Sequence, residues 1–266
     1  MPIRIVQSKQ NARLKELRKA LAHPGRNERG LAGIEGPNLV EEAIRAGLRV
    51  DCIFAGGEDA ASALGAAAQK HDILLVDGDQ LRSILATESP QLVAALVEPP
   101  DWTWPDVLTG SAPLILVLAG IQDPGNLGTI VRSAEAFGAS GVICLPGTVS
   151  SWNQKAVRAS AGSVFRVPLL NLGEAETLEQ LRKAGVKLLT TAVNGAQAAN
   201  AVDLAGPLAV VIGNEGNGVP PELASKTDGA VTIPCPGPVE SLNAAVAASV
   251  LLYEAARQRG LKHEGH

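Results

Sequence analysis

Along Ser8–Leu21 the apolar positions Leu14, Leu17 and Leu21 recur at i, i+3 and i+7, and charged side chains fill the opposite face. This spacing predicts an amphipathic helix with a basic outer surface. Beyond a glycine-punctuated stretch, Gly30–Gly36, the pattern predicts a helix over Asn38–Ala46, a strand over Arg49–Ala55 and a helix around Ala60–Lys70. A strand over Ile73–Val76, a short helix from Asp79 and a strand over Leu92–Val97 follow. Alternating α and β patterns of this kind make an α/β domain. From Glu98 to Pro113 the periodicity stops. This proline-rich stretch reads as a linker with its boundary near Leu108, giving domains 1–107 and 108–266. Trp102 and Trp104 sit in it and are assigned no chemistry.

The second half opens on a strongly apolar strand, Leu114–Ala119. Similar runs return at Val142–Leu145, Lys187–Ala192, Leu208–Ile212 and Ala230–Ile233. Near-continuous apolar strands separated by helical patterns argue a parallel sheet covered on both faces, and ligands of such sheets sit beyond the carboxyl ends of the strands. Three strand exits are unusual: Gly120–Thr129, with Asp123-Pro-Gly-Asn126; Gly213-Asn-Glu-Gly-Asn-Gly218; and the loop after Ile233, with Pro234, Pro236 and Pro238. The first leads into a helix to about Phe137 that Asn126 can cap, with Ile130, Val131, Ala134 and Phe137 facing inward. Arg132 lies on that helix and in isolation reads as a surface charge. After the proline-rich loop a helix opens at Ser241, a natural N-cap, with Leu242, Val246, Val250 and Tyr253 as its apolar stripe, and ends near Gly260. Capping accounts for Ser241 and Leu242 and leaves Asn243 unexplained.

Composition narrows the function classes. Hydrophobic residues make up 46% and charged residues 19%, no apolar run is long enough to span a membrane, and Met-Pro-Ile-Arg-Ile-Val is no signal-peptide core, which reads as cytoplasmic. Cys52, Cys144 and Cys235 form no metal-ligand or disulfide spacing, so no metal is expected, and Cys144 reads as a strand core residue. Aromatics at 3% argue against a protein that holds single strands mainly by stacking. The net charge of −4 hides an asymmetry: through Gly30 eight basic residues stand against Glu16 and Glu28, +6, so the remainder carries −10. A basic arm on an acidic chain fits a polyanionic partner. No dinucleotide fingerprint or P-loop is present.

Three segments resemble, in order and spacing, the motifs of SpoU-type (TrmH-like) RNA 2′-O-ribose methyltransferases of the SPOUT superfamily. They are Asn126-x-Gly128-x-x-x-Arg132-x-Ala134-x-Ala136-Phe137-Gly138, then Ile212-Gly213-Asn-Glu215-Gly216-x-Gly218, then Ile233-Pro234-x-x-x-x-Val239-Glu-Ser241-Leu242-Asn243. Ser8-x-x-Asn11-x-x-x-Lys15 and Glu35-Gly36 resemble the small RNA-binding domain often fused before that catalytic domain. The likeness implies a parallel-sheet SPOUT domain with a deep trefoil knot, preceded by a small α/β RNA-binding domain. It also implies S-adenosylmethionine as cofactor, RNA as substrate, and a homodimer, for which the apolar stripes are candidates. The two-domain layout favours ribosomal over transfer RNA.

By the same resemblance Thr191, Gly213, Ile233 and Leu242 hold the cofactor, and Arg132, Asn126, Glu215, Ser241 and Asn243 serve catalysis. Arg132 is expected to bind the phosphate beside the target ribose and stabilise the developing alkoxide, because a guanidinium stays protonated in proteins. Glu215 is expected to orient Arg132 or its own loop. Lys9, Arg13, Lys15 and Arg18 are candidates for RNA backbone contacts. The competing readings are a binding-only or ribosome-assembly protein on the same fold, and a base methyltransferase. Leu261–His266 is only a short tail.

Overall fold

A computed structural model describes residues 3–5, 11–193, 195–238 and 241–260. In the first half β1 (Ile3–Ile5), α1 (Ala12–Ala22), β2 (Ala32–Glu35), α2 (Pro37–Arg45), β3 (Val50–Ala55), α3 (Glu58–Ser62), β4 (Ile73–Leu75), α4 (Gly78–Arg82) and β5 (Val93–Val97) follow one another. The sheet runs β1-β4-β3-β5-β2, parallel from β1 through β3 and antiparallel at β5 and β2. Asn11 caps α1, its Oδ1 accepting from the Arg13 N–H at 2.8 Å, and Leu14, Leu17 and Leu21 are buried as their spacing predicts. Ser8 and Lys9 lie outside the described residues.

Two local predictions fail here for identifiable reasons. The stretch Gly30–Gly36, read as punctuation, contains β2: Gly33 packs against Leu21 of α1, and buried Glu35 accepts from the Ala86 and Thr87 N–H groups at 2.8 and 3.2 Å. The expected helix over Ala60–Lys70 stops at Ser62, because Gly65 N–H donates to Glu41 Oε1 at 2.9 Å instead of continuing a helix. A single 3-10 turn over Ala68–Lys70 follows.

The second half comprises α5 (Trp104–Val107), β6 (Leu114–Ala119), α6 (Pro124–Ala136), β7 (Gly141–Cys144), α7 (Gln154–Ala159), β8 (Leu169–Asn171), α8 (Glu174–Lys183), β9 (Lys187–Thr191), β10 (Gln197–Ala198), β11 (Leu208–Gly213), α9 (Pro221–Ala224), β12 (Gly229–Thr232) and α10 (Ala244–Gln258). All seven strands are parallel in the order β10-β12-β9-β11-β6-β7-β8, the α/β architecture predicted from the apolar runs.

The chain divides into two compact units, but not at Leu108. Residues up to Asp101 join Ser150–Arg166 in one, and Trp102–Val149 joins Val167 onward in the other. Trp102, Trp104 and Leu108 pack on the core of the second unit around Val107, Ile115 and Val211, which moves the division ahead of α5. The connection between β7 and β8 is given to the first unit. There Gln154 Nε2 donates to Gly33 O at 2.8 Å, the Trp152 and Phe165 rings lie 5.7 Å apart, and Arg166 pairs with Glu42 at 2.8 Å.

In the second unit α10 packs on α6, and the Ser133 and Ser249 hydroxyls meet at 2.7 Å. The face of α10 that is buried carries Ala248, Leu251, Leu252 and Ala255. The apolar stripe Val246, Val250 and Tyr253, which the sequence left open to core or interface, is 48%, 37% and 49% exposed, with Tyr253 edge-on to Phe137. Alanines and leucines fill the buried face instead. Arg259, just past the helix, donates to the carbonyls of Ala112, Leu204 and Gly206 and fixes that end. Among the described residues no helix is long and apolar enough to cross a membrane.

Candidate active site

Four adjacent parallel strands, β12, β9, β11 and β6, send their carboxyl ends toward one edge of the sheet, where loops of such folds collect ligands. After β11 the chain folds back on itself: Asn214 and Gly218 exchange backbone hydrogen bonds at 3.1 and 2.8 Å, and Gly218 has φ +67°. A Cβ on Gly213 would fall 2.1 Å from the Gly218 carbonyl carbon, so only glycine permits this return. Asn214 ties the loop down, its Nδ2 donating to Gly120 O at 2.9 Å and its Oδ1 accepting from Gly216 N–H at 2.8 Å.

A second set of contacts joins the three motif loops. Asp123, not Asn126, caps α6, accepting from the Asn126 N–H at 2.8 Å. The Asn126 side chain is thereby released: its Nδ2 donates to Glu215 Oε1, and its Oδ1 accepts from Asn243 Nδ2 at 3.1 Å. Asn243, not Ser241, caps α10, its Oδ1 accepting from the Ala245 and Val246 N–H groups at 2.9 and 3.3 Å. The sequence offers two cap-forming residues two apart; the bond to Asn126 favours Asn243, and Ser241 stays exposed upstream of the helix. One asparagine thus serves as cap and as link between α6 and α10, which capping propensity alone could not reveal.

Beside this network lies a cavity of ≈ 880 Å³. Thr191, Gly213, Ile233 and Leu242 all line it, as do Ser241 and Glu215. Thr191 donates its hydroxyl to Val211 O at 2.9 Å, so the side chain serves its own sheet. Among the described residues no lysine, arginine or histidine faces the cavity, and Glu215 is its acidic group. Cys235, unremarked from the sequence beyond its spacing, also lines it, with Sγ 3.4 Å from Ile233 O. Val239 and Glu240 of the third motif lie outside the described residues.

Arg132 belongs to neither group. It is exposed on α6, and among the described residues it has no hydrogen-bond or ion-pair partner. Glu215 bonds Asn126 rather than Arg132, contrary to one of its expected roles. In the first unit Arg13, expected on RNA, pairs with Asp51, and Arg29 bridges Asp51 and Glu16 at 2.8 and 2.9 Å. Lys15 and Arg18 are exposed.

The residues that enclose this cavity lie within a stretch, 113–253, that matches the model of the SpoU rRNA methylase family. The chain belongs to that family. Residues 11–95 match an MRM3-like substrate binding domain. The 23S rRNA (guanosine(2553)-2′-O)-methyltransferase RlmP of Bacillus subtilis is 31% identical over 93% of this chain and 97% of its own. An AdoMet-bound rRNA methyltransferase from Sinorhizobium meliloti superposes with a TM-score of 0.83 at 30% identity, covering 96% of this chain and 98% of that one. The SpoU methyltransferase AviRb of Streptomyces viridochromogenes, in complex with AdoMet, superposes at 0.80 with 29% identity over 94% and 98%.

Proposed function

We propose that this chain transfers a methyl group from S-adenosylmethionine to a ribose 2′-hydroxyl of RNA, with ribosomal RNA as the substrate class. The observation that carries the reading is the convergence of the β9, β11 and β12 exits on one cavity whose wall is backbone, glycine, apolar and uncharged polar side chains with a single carboxylate. Such a wall suits a neutral heterocycle and a sulfonium cation, and it offers no cationic side chain to the phosphates of a dinucleotide. S-adenosylmethionine would be held by the exits at Thr191, Gly213 and Ile233, with Leu242 closing over it, in loops that the family resemblance makes part of a deep trefoil knot. When bound, the cofactor supplies an electrophilic methyl group.

The protein's own task is to place the ribose oxygen, accommodate its charge and exclude water. Arg132, exposed and unpartnered among the described residues, is the group for the phosphate beside the target ribose and for the developing alkoxide, and its proton stays in place while the hydroxyl proton passes to phosphate or water. Asn126, Asn243 and Glu215 direct their side-chain groups to one another, so they act as positioning residues that hold α6, α10 and the β11 loop in register. Ser241 keeps an exposed hydroxyl at the cavity rim and can meet substrate.

In the first unit Lys15 and Arg18, with Lys9 outside the described residues, take RNA phosphates, while Arg13 is committed to Asp51. The exposed Val246, Val250 and Tyr253 form the surface for a second copy. We assign the protein to the cytoplasm, where its three unbridged cysteines stay reduced.

Arg132→Ala tests the assignment. Methyl transfer should fall on the order of 10²-fold or more while cofactor affinity by calorimetry stays near the parental value. Parental turnover in that variant would remove Arg132 from the mechanism.

A further inference from the structure

Beside α1 in the first unit lies a groove of ≈ 710 Å³. One wall is a single helix face, Ala12, Lys15, Glu16, Lys19 and Ala20, at i, i+3, i+4, i+7 and i+8; the other is the segment from His23 to Arg29. The far wall is fixed in place. Arg29 bridges Glu16 and Asp51, Asn27 Nδ2 donates to Glu16 Oε1 at 2.9 Å, and Asn27 Oδ1 accepts from the Arg29 and Leu31 N–H groups at 2.9 and 3.0 Å. Arg26 is held by Pro99 O at 2.8 Å, Pro100 O at 3.0 Å and Asp101 at 2.5 Å. His23 Nδ1 lies 3.3 Å from Lys19 O, which keeps the ring against the helix.

What remains uncommitted points to a ligand. Lys15 and Lys19 carry ammonium groups with no partner among the described residues, and Glu28 a carboxylate likewise. Of the four cations that line the groove, Arg26 and Arg29 are paired with Asp101, Asp51 and Glu16, which leaves Lys15 and Lys19 against Glu28. Ala12, Ala20 and Pro24 add apolar surface to the lining. A small apolar lining, an imidazole ring, unpaired lysines and one open carboxylate acceptor suit an unstacked nucleotide: a surface for the base, charge for its phosphates, an acceptor for a base-edge N–H. The volume falls within the range of small-ligand sites.

We infer that this groove takes a single unstacked nucleotide of the RNA, so that the first unit reads single-stranded RNA rather than only gripping phosphates. The inference rests on the reading of this unit as RNA-binding. A duplex presents its phosphates to Lys15, Arg18 and Lys19 but cannot insert a base.

The test uses the full chain and fluorescence anisotropy with two probes, a labelled (rU)8 oligonucleotide and a 16-base-pair RNA duplex. Ala12→Trp, at an exposed position, fills the groove; His23→Ala removes the ring and covers the case in which Ala12→Trp fails to fold by thermal unfolding. Each should weaken (rU)8 binding roughly tenfold and change duplex binding less than about twofold, whereas Lys15→Gln with Lys19→Gln should weaken both. Parental (rU)8 affinity in His23→Ala and in folded Ala12→Trp, or equal loss of both probes, would overturn the nucleotide site while leaving RNA binding intact. A parental chain that binds neither probe would overturn the RNA reading itself.

Discussion

The cavity beyond β9, β11 and β12 has no cationic side chain among the described residues of its wall, whereas the groove beside α1 has four. The first is enclosed by backbone that glycine and proline hold in place, and its selectivity is one of shape. The second is walled by ion pairs, with unpaired lysines at its rim, and its attraction for a polyanion is one of charge. The difference predicts opposite salt behaviour: cofactor affinity should vary little with ionic strength, and RNA affinity should fall steeply. On the proposed reading, one chain separates the grip on a small cofactor from the grip on a polymer of phosphates.

The sharpest way to break the shape-built side is Gly213→Ala. The added Cβ meets backbone at 2.1 Å, so the β11 loop cannot close as it does. We expect a loss of about 3 kcal/mol in thermal unfolding and no measurable cofactor binding by calorimetry; unchanged affinity would mean that this loop does not form the site.

Next in size is the asparagine link. Asn243→Ala removes the α10 cap and should cost about 1 kcal/mol of stability. Asn243→Asp keeps the cap oxygen but turns the donor to Asn126 into a charged acceptor facing Asn126 Oδ1, so it should retain the cap's share of stability while methyl transfer falls roughly tenfold. If both variants lose stability and rate in proportion, the link is structural and does not tune the site.

On the charge-built side, Lys15→Gln with Arg18→Gln should lower the salt slope of RNA affinity by about one to two units. Arg13→Gln should leave the slope and cost at most about 1 kcal/mol through its lost ion pair with Asp51. A fall in slope with Arg13→Gln would return that residue to the RNA surface.

The smallest effect is chemical. Burial pushes the Cys144 and Cys52 thiols up to about 12, so near pH 8 they stay protonated and inert. Cys235, half-buried in the cavity wall, should be the thiol alkylated by maleimide, and S-adenosylmethionine should slow that reaction. Equal labelling with and without cofactor would remove Cys235 from the pocket.

The apolar runs made the second sheet legible: Leu114–Ala119 and Leu208–Gly213 are buried throughout, and a strand buried on both faces needs no alternation. β2 was hidden because Ala-Gly-Ile-Glu between glycines carries turn chemistry, and its strand state depends on pairing with β5 and packing of Gly33 under α1. The excursion of Ser150–Arg166 was hidden for a different reason: Trp152, Val157, Val164 and Phe165 announce burial but not which core receives them. In the site, the resemblance named Thr191, Gly213, Ile233 and Leu242, and the parallel strands bring the ends that carry the first three to one cavity, which Leu242 also lines. Which polar group bonds which did not follow. Asn126 and Ser241 are both sound cap residues, and only the packing of α6 against α10 hands those roles to Asp123 and Asn243.

The central claim is transfer to a ribose oxygen, and it is met most directly by incubating the protein with labelled S-adenosylmethionine and total RNA from cells lacking it, then digesting to nucleosides. The account predicts label in a 2′-O-methylnucleoside derived from ribosomal RNA. Label on a base, or no incorporation from a protein that binds both cofactor and RNA, would contradict it.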